Sequence, residues 1–262
     1  MVDCPTHDQL DIAAEDSVAA WFAAHTYDLV INCAAATNVD GCEADVQGAY
    51  LLNATGAGLI AQAAAAQDAK VVQVSTDYVF AGNESGARSE DDATGPLSAY
   101  GKSKLEGERL VQAANPRHFI CRTAWLYGAC GKNFVKTMLR LGAEHNSITV
   151  VSDQFGNPTN ANDVAYEILK VAATQNYGIY HMTNEGTCSW ADFAEKIMEY
   201  AGLNCRVERV TSQQYKSANP ASARRPHYSS LENARLAATV GNEMRPWQDA
   251  LRSFLREHAR ES

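Results

Sequence analysis

Short runs of strand-like residues recur along the chain, each followed by a longer segment with apolar residues at helical spacing. Asp28-Leu29-Val30-Ile31-Asn32-Cys33 is an apolar run between polar residues, too short for a helix. It fits a strand buried on both faces, as parallel strands are. Val71-Val72-Gln73-Val74 and His118 to Thr123 fit the same description, and Gly178-Ile179-Tyr180-His181 is a fourth such strand. Between them the pattern predicts an Ala-rich helix from about Glu43 to Gln67, with Gly56 and Gly58 permitting close packing. A polar loop follows around Asn83 to Pro96, then a helix from Tyr100 to about Ala113. Alternating strands and helices predict an α/β fold with a doubly wound, Rossmann-like parallel sheet.

The second half is less regular. Gly131–Ala143, Asn162–Ala173 and Trp190–Ala201 read as helices, the last with Ser189 as N-cap and Gly202 past its end. Cys205–Val210 reads as a strand, and Trp247–His258 as a closing helix with Pro246 at its start. Residues 1–128 and 160–184 are expected to form the dinucleotide-binding domain, and 129–159 and 185–262 a smaller mixed α/β substrate lobe. Met1-Val2-Asp3-Cys4 reads as the tail of a strand.

With 262 residues the chain can bury a large core, and 46% hydrophobic with 20% charged residues is ordinary for a globular protein. A net charge of -9 argues against non-specific nucleic-acid binding, which needs a basic face. The seven cysteines form no C-x-x-C pair, and Cys33 and Cys121 fall in strand patterns as buried reduced thiols, as in a cytoplasmic protein. The histidines are scattered, so no metal site is expected. No signal peptide or membrane-spanning run is evident; the small-residue run Ala61–Ala69 is broken by Gln62 and Gln67.

The chemistry concentrates around Tyr100 and Lys104, which share one helix face at a spacing of four. Ser75-Thr76-Asp77-Tyr78 ends the strand before them, where ligands of open α/β sheets bind. A phenol and an ammonium facing a hydroxyl can pass a proton to or from a carbonyl. Lys104 is expected to favour the phenolate and so make Tyr100 a better acid. Ala34-Ala35-Ala36 directly follows a strand, and such small side chains admit a dinucleotide to the backbone. Asp11-Ile12 could place a carboxylate and an amide near an adenine. No glycine precedes Gly41, so a glycine-rich dinucleotide turn is not found in the sequence.

Together these residues resemble the dTDP-4-dehydrorhamnose reductases, a family of extended short-chain dehydrogenases/reductases. The resemblance runs from about Asp8 to Glu257. It rests on Leu10-Asp11-Ile12, on Asn32-Cys33-Ala34-Ala35 with Thr37, Val39 and Asp40, and on Ser75-Thr76-Asp77-Tyr78-Val79-Phe80. Tyr100 with Lys104, Arg122-Thr123-Ala124-Trp125-Leu126-Tyr127-Gly128, Asp153-Gln154 with Gly156 and Pro158-Thr159, Arg224-Arg225-Pro226 with Ser229, and Arg245-Pro246-Trp247 complete it.

The resemblance implies NADPH- or NADH-dependent reduction of the 4-keto group of dTDP-4-dehydro-6-deoxy-L-mannose to dTDP-L-rhamnose. It implies that Tyr100 protonates the oxyanion, Thr76 hydrogen-bonds the same oxygen, and Lys104 holds the nicotinamide ribose. Asp11, Ile12 and Ala34–Ala36 would complete the cofactor site. Thr37, Val39, Tyr78 and Trp125 would line the sugar-nucleotide pocket, with Arg224 and Arg225 on the diphosphate. A dTDP-sugar is the implied partner, and a homodimer is compatible with it. Relative to the family the chain is expected to be N-terminally truncated, lacking the first strand, glycine turn and helix, which makes an inactive truncated reductase one alternative. A sugar-nucleotide dehydratase is disfavoured, because Asp77 is followed by Tyr78 and not Glu. A non-catalytic regulatory subunit of the methionine adenosyltransferase type is disfavoured by the intact Thr76, Tyr100 and Lys104.

Overall fold

The structure, a computed structural model, describes residues 2–258. Residues 2–6 are irregular and not the tail of a strand, and Met1 lies outside the described residues. Helix α1 (Glu15–Ala24), not expected from the sequence, leads to strand β1 (Leu29–Asn32). The single helix expected from Glu43 to Gln67 is instead four pieces: α2 (Val39–Ala44), α3 (Val46–Tyr50), a π-helical stretch (Leu51–Gly56) and α4 (Ala57–Ala66). Asp45 makes the break. Its backbone leaves the helical region at φ -129, ψ 78, and its carboxylate accepts from Gly48 N at 2.9 Å to start a new helix.

Strand β2 (Lys70–Thr76) ends in a 3₁₀ turn (Asp77–Val79). Then come α5 (Ala99–Ala114), β3 (His118–Thr123), β4 (Leu126–Tyr127), α6 (Phe134–Glu144), β5 (Ser147–Val151), β6 (Phe155–Gly156) and β7 (Thr159–Asn160). The chain continues through α7 (Ala161–Ala172), β8 (Gly178–His181), β9 (Cys188–Ser189), α8 (Trp190–Ala201), β10 (Arg206–Val210), α9 (Ser212–Ala218), α10 (Ala234–Val240) and α11 (Trp247–His258).

The main sheet is parallel, in the order β1-β2-β3-β8. Successive residues of β2 enter opposite cores. Val71 packs with Val18, Ile60 and Val111 on one face, and Val72 with Phe119, Val164 and Ile168 on the other. Each such valine contributes about 1.5–3 kcal/mol of burial. β1 differs. It is one of the two outer strands among the described residues, and Ile31 is 39% exposed and Cys33 is exposed rather than buried. Cys121, on the inner strand β3, is buried.

A third core joins Tyr127, Val135, Ile148, Phe193, Ile197 and Phe254. It lies under a second parallel pair, β5 with β10, and under α6, α8 and α11. Leu236 of α10 and Met244 pack into the main-sheet core. α8 is bounded as its sequence dictates: Ser189 and Asp192 form a reciprocal capping box, and Gly202 closes the end at φ 66. A buried ion pair fastens α5 to the sheet. Glu108 accepts from Arg122 at 2.7 and 2.9 Å and from the Ser75 hydroxyl at 2.5 Å.

Candidate active site

Helix α5 begins where it does because Ser98 caps it, its hydroxyl accepting from Gly101 N at 3.1 Å. Glu43 adds a second acceptor, taking Ala99 N at 2.7 Å. Gly101 is required here: a Cβ at this position would meet the Tyr78 carbonyl oxygen at 2.3 Å. The first turn of α5 therefore lies directly on the 3₁₀ turn after β2. This places Tyr100 and Lys104 against the C-terminal end of that strand. The Lys104 ammonium donates to the Val74 carbonyl at 2.6 Å, and the Tyr100 hydroxyl meets the Thr76 hydroxyl. The three residues singled out by the sequence are thus brought together at the strand end.

The electrostatics differ from expectation. Tyr100 is pushed above the ordinary phenol range, first by burial and then by the Asp77 and Cys42 charges, while the bond to Thr76 pulls the other way. Its ring keeps some solvent contact, but the hydroxyl end is surrounded by protein. The expected acidification by Lys104 is not found, because the amine is turned to Val74 and the charge of Asp77 acts in the opposite sense. Burial lowers Lys104 itself to about 8, opposed by Glu108 and Cys33. Burial raises Asp77 to about 6. Its Oδ1 accepts from Thr76 at 2.9 Å. The Ser229 hydroxyl is close enough to oppose the rise, but its donor geometry is toward the Phe155 carbonyl at 3.3 Å. Asp77 Oδ2 is left buried without a hydrogen-bond partner among the described residues.

The opposite wall follows β1. Ala34 is exposed, and Ala35 and Ala36 are half-buried. The π-helical stretch turns Asn53 inward to clamp this segment: its Oδ1 accepts from Ala36 N at 2.7 Å, and its Nδ2 donates to Ala36 O at 3.1 Å and Ser103 Oγ at 3.0 Å. Asn53 was not singled out by the sequence, since a helix break of this kind has no apolar signature. Thr37 is exposed and Val39 half-buried at the start of α2. Asp11 Oδ1 closes a turn onto Ala13 N at 3.0 Å, its amide donates to Ser17 at 3.0 Å, and Ile12 is buried.

These features suit the nicotinamide half of a dinucleotide. Small side chains line a strand end, and Lys104 makes one described hydrogen bond, leaving ammonium donors for a ribose diol. Lys104, Tyr100 and Ala34–Ala36 would hold the group, and it would supply a hydride.

Tyr78 packs edge-to-face on Tyr100, with centroids 5.5 Å apart. Trp125 follows β3 in a left-handed conformation, φ 47, rare for a bulky side chain and costing about 1–3 kcal/mol. Its indole is stacked on Trp190 at 3.5 Å and 7° and abuts Gly156, where a Cβ would meet the ring at 2.5 Å. Much of Trp125 is therefore committed to packing. The two arginines also separate. Arg225 bonds both Asp40 oxygens at 3.2 Å and reaches Tyr78, whereas Arg224 makes no ion pair among the described residues. Arg224, Arg225 and His227 line a cavity of about 140 Å³ with Gly82 and Leu97.

The family described as RmlD substrate binding domain matches residues 1–260. The dTDP-4-dehydrorhamnose reductase of Aggregatibacter actinomycetemcomitans is 39% identical, over 94% of this chain and 86% of that protein. The chain belongs to the dTDP-4-dehydrorhamnose reductase family. The spore coat polysaccharide biosynthesis protein SpsK of Bacillus subtilis is 41% identical over 97% of this chain and 88% of its own length. Among solved structures, the Clostridium acetobutylicum dTDP-4-dehydrorhamnose reductase superposes with a TM-score of 0.94 at 44% identity, covering 98% of this chain and 90% of that one. The Bacillus anthracis enzyme, in complex with NADP, gives 0.93 at 39% identity, covering 97% and 89%. A Streptomyces venezuelae dTDP-glucose 4,6-dehydratase shares the fold at 19% identity and TM-score 0.78. The open-sheet reductase fold of this family agrees with the alternation read from the sequence.

Proposed function

We propose that this protein is an NADPH- or NADH-dependent oxidoreductase that reduces the 4-keto group of dTDP-4-dehydro-6-deoxy-L-mannose to give dTDP-L-rhamnose. The observation that carries this reading is the Tyr100 phenol held at the Thr76 hydroxyl, with the Lys104 ammonium one turn away on the same strand end. Two named dTDP-4-dehydrorhamnose reductases of about 40% identity, and a relative crystallised with NADP, support it.

The cofactor would supply the hydride that arrives at carbon 4. Burial keeps Tyr100 protonated at neutral pH, so the phenol enters each turnover as a donor. Its proton would pass to the carbonyl oxygen as negative charge develops there, leaving an alcohol and a phenolate. Lys104, fixed by Val74, would hold the ribose with its remaining ammonium donors. Arg224, with no ion pair of its own among the described residues, would meet the diphosphate, while Arg225 would hold the wall formed by Asp40 and Tyr78. Thr37, Val39 and the free edge of Trp125 would border the sugar, and Asp11 and Ile12 would shape the adenine end.

The reading assigns residues 1–128 and 160–184 to cofactor and 129–159 and 185–262 to substrate, apart from the α10 segment packed on the sheet. It extends to a homodimer and, in keeping with the seven free thiols, to a cytoplasmic location. Mixing the protein with NADPH and the 4-keto sugar nucleotide should consume the reduced cofactor and yield a dTDP-sugar two hydrogens heavier. No consumption, with the protein folded, would overturn the reading.

A further inference from the structure

Thr76 has one proton to give, and the structure shows where it goes. Its hydroxyl has one donor and two acceptor positions. It accepts from Tyr78 N at 3.2 Å, which leaves one lone pair, and the Tyr100 hydroxyl lies beside it. An ionised Asp77 can only accept, so the 2.9 Å contact with Asp77 Oδ1 consumes the threonine's proton. In that arrangement Thr76 has nothing to donate to a substrate oxygen. Asp77 is 2% exposed, and its second oxygen is buried without a partner among the described residues. A proton on this carboxyl would remove an uncompensated buried charge.

We propose that Asp77 is a positioning residue that sets the direction of hydrogen bonding through Thr76. As a carboxylate it holds the threonine's proton; as a carboxylic acid it donates to Thr76 and frees that proton for the carbonyl oxygen being reduced. The inference rests on the reductase reading above and deepens it.

The surroundings leave the acid form accessible near neutrality. On its own turn Asp77 has Tyr78. From α5 it faces Tyr100, while Lys104 is drawn off to Val74. From the segment 223–229 come Arg225, neutralised by Asp40, and the Ser229 hydroxyl; His227 is turned to the Asp153 carbonyl at 2.9 Å. Cys42 of α2 lies against Tyr100. Among the described residues Asp77 therefore has no cation paired with it, and burial holds its carboxyl at about 6.

The test is the pH profile of ketone reduction at saturating NADPH. In the unaltered protein, kcat/KM should fall about 10–100-fold from pH 5.5 to pH 8: one lost oxyanion donor costs about 10²–10³-fold, and the roughly 1% of acid form left at pH 8 by a midpoint near 6 limits the fall. Asp77→Asn offers an amide donor at every pH and should flatten that limb, keeping the low-pH rate to within a few-fold. Thr76→Val, a second route if Asp77→Asn does not fold, should be slow and equally flat. Thr76→Ser should restore the limb. A carbon-13 label at Tyr100 Cζ gives a readout without turnover: its shift should change with a midpoint near 6, and lose that step in Asp77→Asn and Thr76→Val. A flat profile with normal activity, a limb that survives Asp77→Asn, or no step at Tyr100 would each overturn the proposal. No ketone reduction at any pH, with the Tyr100 step present, would instead overturn the reductase reading and leave the coupling established.

Discussion

The two walls of the site are built in opposite ways. The wall formed by β2 and α5 stands in the middle of the sheet. Thr76 pairs in register with Thr123, Lys104 is 4% exposed, and Glu108 with Arg122 and Ser75 locks the helix below them. The wall formed by β1 and the start of α2 stands at an outer strand, with Ala34 and Thr37 exposed. There the backbone is held by a few side chains, Asn53 at Ala36 and Arg225 at Asp40. The difference teaches where precision is needed. The groups proposed to move a proton sit where packing determines their rotamers, and the segment proposed to admit a ligand sits where few contacts would have to yield.

If that division holds, the largest effect comes from the buried wall's acid. Tyr100→Phe should lower kcat about 10²–10⁴-fold while the dissociation constant for NADPH barely moves. Retention of more than about half the original kcat would remove Tyr100 from the role of acid.

Next comes the lock beneath it. Glu108→Ala leaves the Arg122 guanidinium, 3% exposed, without its carboxylate. Breaking a buried pair on one side costs about 3–5 kcal/mol, which a urea unfolding curve would register as a lower midpoint. A loss under about 1 kcal/mol would show that this wall is not the rigid one.

Much of the rigid wall was legible before the fold was known, and little of the outer one was. The strand at His118–Thr123 announces itself by a run that is buried on both faces. Helix α8 is delimited by Ser189 and Gly202, whose backbone roles are set by their own chemistry. Tyr100 and Lys104 are close in sequence, so helical geometry alone brings them to one face. Arg225 and Asp40 lie 185 residues apart, and no local pattern can pair them. The break at Asp45 and the π-helical stretch at Asn53 hide inside an Ala-rich run that looks uniformly helical. Cys33 was misjudged because an apolar run does not say whether its strand is inner or outer. The Tyr100 phenol was misjudged because spacing gives proximity to Lys104 but not which way the amine turns.

The outer wall should answer to Asn53→Ala with a smaller and different change. Three hydrogen bonds are lost, two of them to Ala36 backbone groups. Leaving such groups unpaired costs about 1–3 kcal/mol in total stability once water reaches them. The KM for NADPH should rise several-fold with kcat little changed. A fall in kcat matching that of Tyr100→Phe would mean that the two walls are not separable.

The smallest effects separate the neighbouring arginines. Arg225 and Asp40 are 26% and 46% exposed, so their pair contributes at most about 1 kcal/mol. Arg225→Lys keeps the charge but loses the fork that spans both Asp40 oxygens. It should leave the melting temperature nearly unchanged and raise the KM for the sugar nucleotide about two- to threefold, through a looser Asp40–Tyr78 wall. Arg224→Gln, with no ion pair to break among the described residues, should leave stability untouched and weaken the diphosphate contact by a similar factor. Raising ionic strength distinguishes them. Salt should shrink the difference between Arg224→Gln and the parent, because what that substitution removes is an exposed charge facing a charged ligand. It should leave the Arg225→Lys difference in place, because what that substitution loses is geometry. Equal salt sensitivity in both variants would place both arginines on the diphosphate and leave Asp40 without its positioning part.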